Sequence, residues 1–275
     1  MVAAALLGLG IPAAFADASP SPSYYLALGD SLAAGFQPDG SSPDEGYVSR
    51  VHSALATRIP HLELENLACN GATTTTLRFG GGCTYSGAAS QLAAAETFLR
   101  DHRGRIRLIT IDIGGNDINR CAAGGRIDVP CAEAAIGTIS DNLTTIVQRL
   151  RAAAPGVLIV GMTYYDPYLA AWRYPMGAGE ALAKLSVQLI TRLNATLADL
   201  YSGPRIRVAD VAHAFGTPTS ADELTGTNPP SVANICTLTW MCRRGDIHPD
   251  DEGYQVIATT FLAEIPGYPQ AASTS

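Results

Sequence analysis

The stretch ALGDSLAAGF, residues 27–36, decides the fold and raises the first question about function. It continues an apolar run that begins at Tyr24 and breaks at Gly29, Asp30 and Ser31. A short apolar run that ends in turn residues predicts a buried strand. Gly, Asp and Ser are ordinary turn residues, but the same letters would also display a serine hydroxyl at the end of the strand. The rest of the chain has to decide between these two interpretations.

Apolar runs alternate with amphipathic stretches along the rest of the chain. Continuous apolar strands that are separated by helices indicate a parallel sheet covered on both faces. We therefore predict an α/β fold, a single-domain α/β/α sandwich with a five-stranded parallel sheet. The predicted strands are 24–29, 62–67, 107–113, 157–163 and 206–209, the predicted helices are 46–59, 90–102, 131–154, 178–201 and 252–263, and 80–87 and 215–250 are predicted to be long irregular loops.

Composition and charge limit the class of protein. The 275 residues are 47% hydrophobic and 16% charged, which is typical of a globular chain with a sizeable core. The net charge is −7 and there is no basic stripe, so we expect no nucleic-acid partner. Neither GxGxxG nor GxxxxGK[ST] occurs, which disfavours phosphate binding by the glycine-rich turns.

The first residues resemble an export signal. An apolar run leads to AFA at 14–16, a small-x-small pattern that is typical of a signal-peptidase site. The run is shorter than the roughly 20 apolar residues that a membrane-spanning helix needs, so we expect no stable membrane insertion. A buried N-terminal helix is the alternative. The predicted segments are a leader or its remnant at 1–16, a Ser/Pro-rich tether at 17–23, one domain at 24–266 and a flexible tail at 267–275.

Six cysteines support export. They fall into three close pairs without any CxxC, and this spacing does not predict a zinc site or another metal site. An even number of cysteines after a secretion signal predicts three disulfides in an extracellular protein. About 15 pairings are formally open. Pairing between nearest neighbours is our prediction, which gives Cys69–Cys83, Cys121–Cys131 and Cys236–Cys242.

Four polar stretches lie at the predicted strand ends or before the last helix: GDS, ACNGATT, GGND and DIHP. In such a sheet, ligands bind beyond the carboxyl ends of the strands. Acyl transfer through serine needs a hydroxyl, a base, a group that orients the base, and donors for the oxyanion. Ser31 offers the hydroxyl, and His248, held between a carboxylate and Pro249, is the best base. The remaining histidines lie beside helices or after a strand, namely His52, His61, His102 and His213.

Candidates for the other two roles are less distinctive. Asp246 is the obvious orienting carboxylate. The backbone N–H of Gly71 and the side-chain amide of Asn116 are candidate oxyanion donors, although Gly and Asn are also common in turns. Three further carboxylates near the strand ends could serve structural roles instead, namely Asp30, Asp112 and Asp117.

Together these motifs resemble the four blocks of the SGNH (GDSL-type) hydrolases. GDSL at 29–32, NLACNGATT at 66–74, GGND at 114–117 and DIHP at 246–249 occur in the order of that family. The resemblance covers nearly the whole mature chain and implies the flavodoxin-like hydrolase fold of the family. The six cysteines are similar to those of its secreted actinobacterial esterases and lipases.

The resemblance assigns a role to each matching residue. Ser31 would be the nucleophile, and its own N–H would join the oxyanion hole. Gly71 and Asn116 would be the other oxyanion donors, and His248 would be the general base. No cofactor is implied.

One departure concerns the last block. The family usually has DxxH, but Gly245 stands three residues before His248 and Asp246 stands only two before it. Residues two apart face the same side of an extended segment, so Asp246 could still reach the ring. The alternative is that a backbone carbonyl, for instance that of Gly245, orients the imidazole.

The predicted function is that of a secreted, monomeric serine esterase or lipase acting on small-molecule or lipid esters, with at most transient contact with a lipid surface. A carbohydrate O-acetylesterase is the alternative within the enzymes, and a secreted non-catalytic ligand-binding protein is the alternative outside them. Apolar residues of 163–175 either line an acyl pocket or pack a loop, among them Tyr164, Tyr165, Tyr168, Trp172 and Tyr174.

Overall fold

The computed structural model describes residues 21–38, 40, 45–174 and 177–268, and a parallel sheet lies at their centre. Its strands are β1 (Ser23–Gly29), β2 (Leu62–Asn66), β3 (Ile106–Asp112), β6 (Leu158–Met162) and β7 (Ile206–Ala209), and a separate antiparallel ribbon consists of β4 (Ala122–Ala123) and β5 (Arg126–Ile127).

The five strands of the described sheet run in the order β2-β1-β3-β6-β7, and every neighbouring pair is parallel. The predicted fold class is therefore confirmed. In β1, every residue from Ser23 to Gly29 is buried, because helices cover the sheet on both faces. A strand with no exposed face has to be apolar throughout, and this explains why YYLAL lacks the alternation of a half-exposed strand.

Helices pack in two layers. The helices in the described ranges are α1 (Tyr47–Ala56), α2 (Thr74–Phe79), α3 (Gln91–Asp101), α4 (Gly115–Asn119), α5 (Val129–Ala153), α6 (Ala178–Leu200), α7 (Val211–Ala214), α8 (Pro230–Leu238), α9 (Met241–Arg244) and α10 (Asp251–Ala263), with 3-10 turns at Pro167–Arg173 and Ala221–Glu223. The helices α1 and α10 pack together on one face of the sheet, whereas α3, α5 and α6 pack side by side on the other. On the first face, the rings of Tyr47 and Phe261 stack 4.7 Å apart.

The prediction of an irregular loop over 215–250 is wrong in part. The segment contains α8, α9 and a 3-10 turn. Two adjacent prolines, at 229 and 230, are typical of a loop, but Pro is also well tolerated in the first turn of a helix, where its missing N–H has no partner to lose. In α8, Val232 and Ile235 are fully buried and fix the helix against the core.

The ends of the predicted domain are described only in part. The predicted leader at 1–16 and the tail from 269 lie outside the described residues, as does most of the tether. The strand β1 starts at Ser23, whose N–H donates to His61 O at 3.0 Å. Gly267 and Tyr268, at the start of the predicted tail, both contact Arg58. Within the described ranges, no helix combines the length and the apolar character that crossing a bilayer requires.

Three disulfides fasten the loops at the carboxyl end of the sheet. They join Cys69 to Cys83, Cys121 to Cys131 and Cys236 to Cys242, with Cα–Cα distances of 5.8, 5.6 and 5.0 Å. The first closes the loop after β2, the second closes the base of the β4–β5 ribbon, and the third ties α8 to α9. Between β1 and β3 the chain order reverses, and this is where α/β sheets bind ligands.

Candidate active site

The turn after β1 presents Ser31. Gly29 has a φ of +147°, and a Cβ at this position would lie 2.3 Å from Asp112 Oδ1 and 2.5 Å from Asp112 O, so only glycine fits. The chain then turns sharply, because Asp30 Oδ1 accepts the Leu32 N–H at 2.9 Å and Asp30 O accepts the Ala34 N–H at 3.1 Å. The strand therefore ends with the Ser31 side chain at the rim of the sheet.

The three predicted catalytic residues Ser31, His248 and Asp246 lie within hydrogen-bonding distance of one another in sequence. Ser31 Oγ lies 2.8 Å from His248 Nε2, and His248 Nδ1 lies 2.7 Å from Asp246 Oδ1. An ionised carboxylate only accepts hydrogen bonds, so Nδ1 carries the proton and Nε2 is free to accept from the serine. This arrangement lets Ser31 pass a proton to the imidazole while Asp246 holds the ring.

The His248 loop is held on several sides. Tyr165 OH donates to Ile247 O at 2.7 Å, and Trp240 N–H donates to His248 O at 3.0 Å. The Phe36 ring lies 4.4 Å from the imidazole, measured between centroids. These contacts fix the direction in which the ring points, as a general base requires.

Candidate oxyanion donors lie on the two neighbouring loops. Asn116 Nδ2 donates one hydrogen to Ala72 O at 3.0 Å, which leaves its second amide hydrogen for a ligand. Gly71 has a φ of +74° and open space where a Cβ would stand. The Cys69 N–H donates to Gly29 O at 3.1 Å and so ties the Gly71 loop to the serine turn.

A largely apolar cleft-like cavity opens beside Ser31, and the space within it amounts to about 720 Å³ when the open solvent at its mouth is counted. Asn116 and His248 line it together with the serine. Its walls come from the β4–β5 ribbon, the segment after β6 and helix α6, with Ile127, Tyr164, Tyr165, Tyr168, Leu189, Ile190 and Leu193 among the lining residues. Of the five aromatic residues predicted for an acyl pocket, Trp172 and Tyr174 instead face two other clefts.

The sequence model of the GDSL-like lipase/acylhydrolase family matches residues 27–256. The chain belongs to this family. The protein is accordingly a carboxylic ester hydrolase, as the motif resemblance predicted.

Solved structures of two lipases and of a carbohydrate esterase share the fold. A lipase from a goat rumen metagenome is 20% identical, covers 90% of this chain and 99% of its own, and gives a TM-score of 0.57. An extracellular lipase from Streptomyces rimosus is 19% identical over 88% of this chain and 99% of its own, with a TM-score of 0.54. A family 3 carbohydrate esterase from Clostridium thermocellum is 12% identical over 88% and 94%, with a TM-score of 0.50. No curated protein matches the sequence.

Two buried carboxyl groups lie directly behind Ser31 in this acylhydrolase. Asp30 Oδ2 accepts from Tyr164 OH at 3.0 Å, Asp112 Oδ1 accepts from Tyr47 OH at 2.6 Å, and Asp112 Oδ2 accepts the Asp30 N–H at 3.4 Å. Burial raises the pKa of both carboxyl groups, and the charge of Asp30 raises that of Asp112 further. Two like charges this close cannot both form cheaply, so the pair holds a proton more tightly than an isolated aspartate does.

The other candidate residues have structural contacts. Asp117 accepts from the backbone N–H and the hydroxyl of Thr74, at 2.9 and 2.7 Å, and so joins α4 to α2. His52 Nε2 lies 3.0 Å from Leu62 O, and His102 Nδ1 lies 2.9 Å from Phe98 O. In the part of the chain that the structure describes, no group of three or more His, Cys, Asp or Glu side chains could hold a metal ion.

Sequence reasoning missed Asp166 and Ser186, which also line the cavity. Asp166 begins the 3-10 turn at Pro167–Arg173 and caps it by accepting the Tyr168 N–H at 2.9 Å. An aspartate followed by proline is a recognised start signal for a helix, so the turn was predictable. The sequence carries no signal that the same carboxyl group borders the cavity.

Proposed function

We propose that the protein is a secreted serine esterase or lipase that hydrolyses carboxylic esters through an acyl-enzyme on Ser31. The observation that carries this proposal is the chain of short contacts from Ser31 Oγ through the His248 ring to Asp246. A leader-like N-terminus and three disulfides support secretion.

Acylation begins when Ser31 Oγ attacks the ester carbonyl carbon and its proton moves to His248 Nε2. The carbonyl oxygen becomes an oxyanion, which the N–H groups of Ser31 and Gly71 and the amide of Asn116 stabilise. The carbon–oxygen bond to the alcohol then breaks, and the alcohol leaves with the proton from Nε2. Asp246 stabilises the imidazolium that forms in between.

Deacylation repeats these steps with water. The water oxygen attacks the acyl carbon while His248 Nε2 takes a proton from the water. When the bond from the acyl carbon to Ser31 Oγ breaks and the acid leaves, Nε2 gives this proton to Ser31 Oγ. No atom outside the chain, the ester and water is needed.

The apolar cavity favours an acyl chain of several carbons over an acetyl group. Leu189, Ile190 and Leu193 form a hydrocarbon wall that an acetyl group would leave largely unfilled. A carbohydrate acetylesterase, whose acyl group is the shortest, is therefore less well supported by this wall.

Hydrolysis of p-nitrophenyl acetate, butyrate and octanoate by the purified protein tests the proposal. Ser31→Ala should abolish hydrolysis and labelling by a fluorophosphonate probe. Ser53→Ala, which alters an exposed serine of α1, is the matched control and should behave like the wild type. Retained hydrolysis in Ser31→Ala would remove the nucleophile from the proposal. A wild type that neither hydrolyses nor labels would favour a non-catalytic ligand-binding protein, and a marked preference for acetate would favour the acetylesterase.

A further inference from the structure

The far end of the cavity contains a polar cluster that the mechanism does not use. Asp166 is only 1% exposed, yet it borders the cavity together with Ser186 of α6. Asp166 Oδ1 accepts from the Tyr168 N–H at 2.9 Å, and Asp166 Oδ2 lies 2.7 Å from Ser186 Oγ. A carboxyl group in an otherwise hydrocarbon wall is costly to keep charged.

The cluster and Tyr164 lie at different levels along α6. Tyr164 marks the near end, because its hydroxyl binds Asp30 and its N–H donates to Asn194 Oδ1 at 2.7 Å. Leu193 therefore lies beside the catalytic end of the cavity. Ser186 lies two turns earlier on α6, about 10 Å along the helix axis. By this spacing, a short acyl group attached to Ser31 would end before Asp166, and a longer chain that follows α6 would reach it.

The cluster can satisfy its hydrogen bonds with Asp166 either charged or neutral. Ser186 Oγ lies 2.7 Å from Asp166 Oδ2 and 2.9 Å from Ala183 O, but its single hydrogen can serve only one of them. When Asp166 is charged, Ser186 donates to the carboxylate. When Asp166 is protonated, its hydroxyl donates to Ser186 Oγ, and Ser186 then donates to Ala183 O.

The surroundings leave the charge of Asp166 without a counter-ion. Burial raises the pKa of Asp166 to about 7, because the hydrogen bonds from Ser186 and the Tyr168 N–H offset the desolvation only in part. Within the described ranges, no cation forms an ion pair with it. The titratable groups that line the cavity with Asp166 are the phenols of Tyr165 and Tyr168 and the imidazole of His248. Arg173, in the same 3-10 turn, contacts Cys236 Sγ instead. On α6, Glu180 and Lys184 are exposed, and Lys184 lies over the Trp172 ring.

We propose that Asp166 makes acyl-chain selection depend on pH, because the cavity admits long apolar chains when this residue is neutral and disfavours them when it is charged. The inference rests on the proposed function, since the chain has to be attached to Ser31. Asp166 itself is already buried, but a chain that fills the cavity beside it replaces the water there by hydrocarbon, and this further disfavours the charged form of the carboxyl group. Above neutral pH, binding of a long chain is therefore linked to uptake of a proton.

The test is the ratio of kcat/KM for p-nitrophenyl octanoate to that for the butyrate, measured from about pH 5.5 to about pH 8.5. Both esters use Ser31 and His248, so ionisation of the catalytic residues cancels in the ratio. In the wild type, the ratio should fall by up to about tenfold per pH unit above neutrality. In Asp166→Asn, it should stay flat, because the amide can donate to Ser186 and accept from Tyr168 as the protonated acid does.

Two further variants sharpen the test. Ser186→Ala removes a hydrogen bond that favours the charged form, so the fall in the ratio should move to higher pH. Asp210→Asn is the matched control, because Asp210 also caps a helix but does not line the cavity, and its ratio should follow the wild type. If circular dichroism shows that Asp166→Asn does not fold, the pH at which the ratio falls in Ser186→Ala tests the inference instead.

A flat ratio in an active wild type, or a fall that persists in folded Asp166→Asn, would overturn the inference and leave the esterase proposal standing. Absence of hydrolysis of either ester by the wild type would instead overturn the proposed function, and this inference with it.

Discussion

Asp246 Oδ1 accepts two hydrogen bonds from His248, one from the ring Nδ1 at 2.7 Å and one from the backbone N–H at 2.9 Å. The second bond is the Asx turn that aspartate forms with the residue two positions on. The turn brings the Asp246 carboxylate next to the His248 ring. Spacing of two residues thus gives the contact that the usual spacing of three gives in the family.

The backbone conformation explains why glycine occupies position 245, where the family usually has aspartate. Gly245 ends α9 with a φ of +68°, and its N–H donates to Met241 O at 2.9 Å. This left-handed conformation after a helix favours glycine over residues with a Cβ. The carboxylate function can therefore move to Asp246 while Gly245 closes the helix.

Asp246→Ala should lower kcat for ester hydrolysis by about 10²–10⁴-fold, because the ring loses the group that fixes its tautomer and stabilises the imidazolium. Steady-state kinetics with p-nitrophenyl butyrate measures the effect. Asp251→Asn, which alters an exposed acid at the start of α10, should leave kcat within about twofold of the wild type. A kcat for Asp246→Ala near that of the wild type would mean that a backbone carbonyl orients the ring instead.

Asn116→Ala should lower kcat by about 10²–10³-fold and change KM much less, because its amide contacts the oxyanion mainly in the transition state. The split between kcat and KM for p-nitrophenyl butyrate is the measurement. Asn228→Ala is a suitable control, since Asn228 is exposed and lies outside this cavity, and its kcat should stay near that of the wild type. An Asn116→Ala variant that changes only KM would remove Asn116 from the oxyanion hole.

Gly29→Ala should destabilise the fold by roughly 3 kcal/mol, because the new methyl group would overlap both oxygens of Asp112 named above. It would also disturb the paired bonds between Gly29 and Gln91, at 2.7 and 3.0 Å. Urea unfolding followed by circular dichroism measures the loss.

Gly137→Ala is the matched substitution with the opposite sign. Gly137 is exposed within α5, and a Cβ at this position would meet no neighbouring atom within 4 Å. Alanine there should stabilise the protein by about 0.5–1 kcal/mol. If Gly29→Ala and Gly137→Ala changed the free energy of unfolding equally, the close contact between Gly29 and Asp112 would not restrict position 29.

The central strands β1, β3 and β6 were predictable because each is a largely apolar run that ends in a turn signal, as in the residues around Leu108 and Ile109 of β3. The edge strands β2 (LELEN) and β7 (IRVA) interleave apolar and charged residues and give a weaker signal. Its long helices have clear periodicity, as in α3. Short elements were missed, since α4 and the β4–β5 ribbon are too brief to show a period. Sequence order could bring Ser31 and His248 to one edge of the sheet, but the contacts of Asp166 and Tyr164 depend on how side chains pack between distant elements, and no local pattern encodes that.

The acid pair behind Ser31 should make the stability of the protein depend on pH. Burial raises the pKa of Asp112 well above its usual range, so the folded protein keeps a proton that the unfolded chain releases. Where the unfolded state binds fewer protons, the free energy of unfolding falls as pH rises. The fall should begin near the ordinary aspartate pKa of about 4 and continue towards the raised pKa of the folded protein.

Asp112→Asn isolates this contribution, because asparagine has a similar shape to the protonated acid and its carbonyl oxygen can still accept from Tyr47 OH. We expect the free energy of unfolding of the variant, relative to the wild type, to increase steadily between about pH 4.5 and about pH 8. Urea unfolding of both proteins across this range measures the difference, and the value at the acid end accounts for any effect of the substitution other than charge. If the difference in free energy of unfolding between variant and wild type does not change with pH, Asp112 is ionised in the folded protein. The prediction that the acid pair holds a proton would then be wrong.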